Sequence, residues 1–217
     1  MAAPASVPPP PTATAVPAAG PDPGWLIVPA AVVLLVALLW PSFGGMLAQW
    51  EGSSTFNYGF LVGPVSLFLL WRDRARLAAL PLRRTVLPVL LAVPVAAAWL
   101  VALALRIEVV HHAAAVALVV LLVWSLVGPV VARAMAFPLG YLFLMVPFGE
   151  FLVPYLMQLT ADFAVRAVLA SGVPVYQDGY VFSLPSGDFE VIKACSGIRF
   201  LMATIAAGTV FAYVAYA

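Results

Sequence analysis

The chain has 217 residues, 65% hydrophobic and 9% charged, with a net charge of +1 at pH 7, and its mean hydropathy is +1.09. A soluble domain is about half apolar and about a quarter charged, so this balance marks an integral membrane protein. The small net charge argues against nucleic acid as a partner, and a single cysteine, Cys195, excludes an intrachain disulfide, a CxxC redox pair and a cysteine-based zinc cluster.

Residues 1–24 carry eight prolines and no Lys or Arg. A segment of this composition cannot pack a core and is expected to be a disordered, solvated tail. It lacks the basic start of a secretory signal.

Six apolar runs follow, at 25–40, 56–71, 86–105, 113–132, 137–153 and 195–217. The first, WLIVPAAVVLLVALLW, is roughly 24 Å long as a helix, with a tryptophan at each end to anchor it at an interface. Pro64, Pro88, Pro94, Pro138 and Pro147 fall inside runs. Proline is tolerated in a membrane helix where neighbours satisfy the freed carbonyls, which implies a bundle. The predicted fold is an all-α polytopic membrane protein of about six transmembrane helices, occupying 25–217.

Basic residues in short loops face the cytoplasm. Arg72, Arg74, Arg76, Arg83 and Arg84 lie between the second and third runs, and Arg133 follows the fourth. If each run crosses once, these share one side, while 41–55, 106–112 and 154–192 face outward with Cys195. The segment 154–192 is the one stretch patterned like a small folded insertion. PYLMQLTADFAVRAVLAS is helical in pattern, Asp162 and Arg166 are spaced as an i,i+4 pair, and Gly172 is placed to end the helix. Turn signals at Asp178-Gly179 and at 185–188 then divide three short strands, near 173–177, 180–184 and 189–192.

The last strand leads into EVIKACSGIRF. A free cysteine in an apolar helix is usually an inert small hydrophobe. Cys195, however, is expected at a strand-to-helix junction, with Lys193 before it and Arg199 one turn after. A helix N-terminus and nearby cations favour a thiolate, although Lys193 and Arg199 also suit interface anchoring. His111 and His112 are adjacent in a predicted outer turn, point apart on regular structure and lack the further ligands a metal site needs. Glu150, in an apolar stretch, is either a functional acid or a solvated or hydrogen-bonded interfacial one. Ser196 has no base placed by sequence and suits helix capping. No cofactor or metal is implied.

Ala194-Cys195-Ser196-Gly197-Ile198-Arg199 resembles the nucleophile motif of the exosortase/archaeosortase family. Phe56-Asn57-Tyr58-Gly59-Phe60-Leu61-Val62, then Leu70-Trp71-Arg72, is similar to that family's early region, with Tyr58 where a histidine is frequent. Pro138-Leu139-Gly140-Tyr141-Leu142 through Pro147, then Gly172-Val173-Pro174-Val175, resemble its approach to the cysteine. The resemblance covers about 25–217. It implies a cell-membrane cysteine peptidase or transpeptidase (inner membrane in a Gram-negative cell), its active site facing the extracytoplasmic side. Its partners would be exported proteins with a C-terminal sorting signal of the PEP type. It also implies Cys195 as nucleophile, a thioester intermediate, and the family's other catalytic residues, an arginine and a histidine, beyond residue 217. The competing reading of the residues is a non-catalytic transport or assembly component with a structural cysteine.

Overall fold

The computed structural model describes residues 24–53 and 55–216, so the predicted tail at 1–24 lies outside the described residues except for Gly24, which begins α1. Among these, nine helices and one small sheet form: α1 Gly24–Leu38, α2 Trp40–Gly52, α3 Gly59–Arg72, α4 Arg74–Ala78, α5 Leu87–Ala104, α6 Glu108–Ala134, α7 Ala136–Tyr141, α8 Val153–Ala170, then β1 Tyr176–Asp178, β2 Val181–Leu184, β3 Gly187–Glu190 and α9 Ile198–Tyr216.

The central element is α6. It carries much of the buried core, against α1, α2 and α5. Near one end Leu77, Val123, Val127, Val131, Met135 and Leu139 pack together. Nearer the other, Met46, Trp50, Phe56, Val116 and Val146 do so. The turn from α5 to α6 is closed by Ile107 N–H donating to Ala102 O at 2.8 Å, with Arg106 at φ 55. A left-handed residue after a helix is the usual way to satisfy its last carbonyls. Long apolar faces remain exposed on α1, α5 and α9, as lipid-facing surfaces must be.

One proline shows how the bundle tolerates such residues. Pro129 has no N–H, which frees the carbonyl of Ser125, and Thr85 N–H from the stretch before α5 donates to that oxygen at 3.1 Å. The chain breaks there at Gly128, φ 84, where a Cβ would lie 1.9 Å from Arg83 O.

By length and composition, fewer helices qualify as spans than the about six expected. Four helices are long and apolar enough to cross a bilayer, α5, α6, α9 and α8 with its leading turn, or five if the bent pair α1 and α2 counts as one span. The predicted loop 41–55 is largely helical, because the first run continues through a 79° bend into α2. The run 56–71 yields only the 14 residues of α3. The run 137–153 stops as a span near Met145, where Val146 turns extended and Gly149 takes φ 99. Pro147 cannot continue a helix, and a left-handed glycine redirects the chain. The predicted helix-and-meander insertion does form. Its sheet is antiparallel in the order β1-β2-β3, and Gly172 ends α8 at φ 85.

Five of the arginines collect at one end of the bundle. Arg72 closes α3, Arg74 and Arg76 lie on α4, Arg83 N–H reaches Val127 O at 3.4 Å, and Arg133 ends α6. The C-terminal part of α9 is bound to this end, since Tyr213 Oη donates to Asp73 Oδ2 at 2.9 Å. From Tyr213 back to Ile198 is about 22 Å of helix, so the cysteine turn lies at the opposite end.

Candidate functional site

The cysteine does not stand on the long helix. After β3 the chain forms a single 3-10 turn, Lys193–Ser196, then Gly197 at φ 70, and only then α9. The predicted sixth run thus becomes helical three residues late. Cys195 is exposed. Its N–H donates to Ile192 O at 2.8 Å, and its carbonyl accepts from Thr160 Oγ1 of α8 at 3.3 Å. Ser196 closes the turn by donating to Lys193 O at 2.8 Å rather than capping α9. Gly197 O accepts the first bond of α9, from Leu201 N–H at 3.1 Å. The N–H groups of Ile198, Arg199 and Phe200 are therefore the first-turn donors that lack intrahelical partners, just past the sulfur in sequence.

The flanking cations differ from expectation. Lys193 Nζ is bound to Glu150 Oε1, the ion pair found among the described residues. Glu150 Oε2 also accepts from Gln49 Nε2 of α2 at 3.1 Å. Glu150 is thus a half-exposed connector joining α2, the 146–152 turn and the cysteine turn, not an isolated acid at membrane depth. Gly149 beside it packs directly on α9, where a Cβ would lie 2.8 Å from Ile198 Cδ1. Arg199 is exposed, its guanidinium 5.4 Å from the Phe200 ring centroid. The predicted Asp162–Arg166 pair is replaced. Asp162 Oδ1 accepts from Gln158 Nε2 at 2.8 Å and from Gln177 Nε2 of β1 at 3.0 Å, which ties the meander to α8.

His111 and His112 do not lie on an outer turn. Both belong to the first turns of α6 and are buried, with ring centroids 4.2 Å apart. Nδ1 of His111 shares a hydrogen bond with Ser42 Oγ at 3.0 Å, and Trp99 Nε1 donates to the same oxygen at 2.8 Å. Nε2 of His112 faces Gly45, where a Cβ would lie 3.1 Å away. Neither histidine contacts the cysteine turn in these bonds, and among the described residues no group of three metal-binding side chains assembles.

The early motif has a structural role. Phe56 is buried, and Gly59 admits the Trp50 indole, which a Cβ would meet at 2.5 Å. Trp50 Nε1 in turn donates to Met145 O at 3.1 Å. Tyr58 lines one end of an apolar groove of about 620 Å³ between α3 and α9, together with Leu61, Tyr141, Ala203, Ala207 and Phe211. Gln49 and Thr160 escape sequence reading, because nothing local distinguishes a polar side chain that bonds across elements from one that faces water.

No curated protein and no solved structure matches the chain. The family model for the transmembrane exosortase matches residues 50–217, beginning within α2 and including α3 through α9 with the cysteine turn. With more than half of its length so matched, the chain belongs to the transmembrane exosortase family.

Proposed function

We propose that the protein is a membrane cysteine transpeptidase that processes the C-terminal sorting signal of exported proteins, with Cys195 as its nucleophile. The observation that carries this reading is the exposure of the sole thiol on a turn at the head of α9, within the family match. A cysteine kept for packing is buried as a small hydrophobe, so exposure speaks against the non-catalytic alternative. The arginine-bearing end takes the cytoplasmic side by the charge rule, which puts Cys195 at the extracytoplasmic rim.

In this reading the Cys195 thiolate attacks the scissile carbonyl and forms a C–S bond. The C–N bond breaks, the leaving amine takes up a proton, and a thioester remains. An acceptor nucleophile then attacks the thioester and releases the thiolate. The N–H groups at the start of α9 are available to the developing oxyanion. The groove between α3 and α9 suits the transmembrane helix of a substrate, being apolar and lined by small residues of α9.

The test is processing of a reporter carrying a sorting signal by the full-length protein in cells. Cys195→Ala is expected to leave the precursor uncleaved and to accumulate no acyl-enzyme. Cleavage at the wild-type rate in that variant removes the assignment.

A further inference from the structure

We infer that α8 does not cross the bilayer but lies flat on its surface, with Phe151, Tyr155, Leu159 and Phe163 immersed at the boundary of lipid headgroups and acyl chains. By length and composition alone, α8 with its leading turn qualifies as a span. Its surroundings rule that out. Near its midpoint Thr160 binds Cys195 O, near its start Pro154 O accepts from Tyr180 Oη at 3.3 Å, and Asp162 binds Gln177 of β1. The cysteine turn and the meander thus flank the helix along its length, and none of the long helices is among its main packing partners.

If α8 crossed, its midpoint would carry the sheet into hydrocarbon. That sheet has three strands with two open edges, and open edges with unpaired N–H and C=O groups do not occur there. Asp178, Asp188 and Glu190, all on or at the ends of the strands, would be carried in as well.

A flat α8 has its inward face on Val153, Ala161 and Val165, which are buried. The opposite face is a stripe at every fourth residue: Phe151 is 76% exposed, Tyr155 70%, Leu159 57% and Phe163 74%. The stripe is about 18 Å long, too apolar to face water for a helix this size. Lipid is the occupant favoured by two features. The protein belongs in a bilayer by composition, and the cysteine turn against which α8 packs stands at the head of the candidate span α9, at the end away from the arginine-bearing loop. Arg166, exposed and on the same face as Leu159 and Phe163, is placed to reach lipid phosphates by snorkelling. An amphipathic helix of this type sinks about 5–10 Å into the headgroup and acyl boundary. The inference goes beyond the transpeptidase reading and its test needs no activity.

The experiment places spin labels singly at Tyr155, Leu159 and Phe163 in the full-length chain carrying Cys195→Ser, in vesicles of phosphatidylethanolamine and phosphatidylglycerol. Power saturation with oxygen and a water-soluble nickel chelate then reads depth. The expected result is one shallow depth shared by all three labels, with oxygen accessibility above nickel. A label at Glu190 is expected to favour nickel. A depth that runs steadily from Tyr155 to Phe163 makes α8 a span and overturns the proposal. Shielding from both reagents assigns the stripe to a protein partner, and nickel accessibility assigns it to water; either overturns it too. Because labels can perturb folding, the unmodified protein is also treated with a membrane-partitioned diazirine. The peptide containing 151–163 is expected to be labelled as strongly as that of α5, and its absence from the labelled set counts against the inference.

Discussion

Tyr213 and Asp73, 140 positions apart, are joined by a 2.9 Å hydrogen bond from the phenol to the carboxylate. That bond brings the far end of α9 to the arginine-bearing loop and so puts Cys195 at the opposite end of the bundle. In the proposed orientation the two ends of α9 would face opposite sides of the membrane.

This relationship predicts the sidedness of labelling. In intact cells a membrane-impermeant maleimide is expected to react with Cys195 of the full-length protein. A cysteine at Arg76, in a Cys195→Ser background, is expected to react only after permeabilisation. The reverse pattern would invert the topology and remove the active-site placement.

The polar cluster under α2 gives a stability prediction. Ser42 Oγ is the partner of both His111 Nδ1 and Trp99 Nε1. Ser42→Ala strands the buried His111 and the half-buried Trp99 and is expected to cost about 1–3 kcal/mol. Thermal unfolding in detergent, with Ser186→Ala in the β2–β3 turn as an exposed-serine control, measures it.

Two glycines differ in the reason they resist substitution. At Gly59 a Cβ meets the Trp50 indole at 2.5 Å, and a displaced ring also loses its bond to Met145 O. Gly59→Ala is expected to destabilise by about 1–3 kcal/mol. At Gly128 the obstacle is backbone, Arg83 O at 1.9 Å, at a positive φ. Gly128→Ala is expected to cost more than Gly59→Ala, because a backbone carbonyl cannot rotate away and the strained φ adds to it. The ranking is read from melting temperatures of the two variants.

The Lys193–Glu150 pair is half-exposed on both sides, so its contribution to stability is expected to be under about 1 kcal/mol. Its effect on processing is expected to be larger, since Glu150 ties the cysteine turn to Gln49. Glu150→Gln should slow reporter cleavage several-fold with little shift in melting temperature. A double-mutant cycle with Lys193→Met separates the pair from the remaining bond to Gln49.

The groove supplies a steric prediction. Ala207→Phe fills the space between α3 and α9 while leaving the cysteine turn untouched. Processing is expected to fall at least tenfold, with maleimide labelling of Cys195 unchanged. Undiminished processing would show that substrate approaches by another route.

Much was legible in linear order. The membrane class follows from composition, because so many apolar side chains cannot be covered by so few charged ones in water. The meander follows from turn residues whose φ is set locally, at Gly172 and Gly179 above all. The cysteine motif and most of the arginine bias also lie in short stretches, and the family resemblance is carried by several such stretches in order.

What tertiary structure alone decided concerns partners far apart in the chain. Apolar runs of similar hydropathy became a bent pair, a short helix and a helix that stops near Met145, since hydropathy does not report where a left-handed glycine or a neighbour's N–H redirects the chain. His111 and His112 went from a predicted surface turn to the buried start of α6, where Ser42 of α2, itself bonded to Trp99, receives His111 while His112 packs against Gly45. Lys193 chose Glu150, and Asp162 bonds Gln177 of β1 besides its helix neighbour Gln158, because a contact between distant stretches depends on folded distance and is invisible to spacing along the sequence.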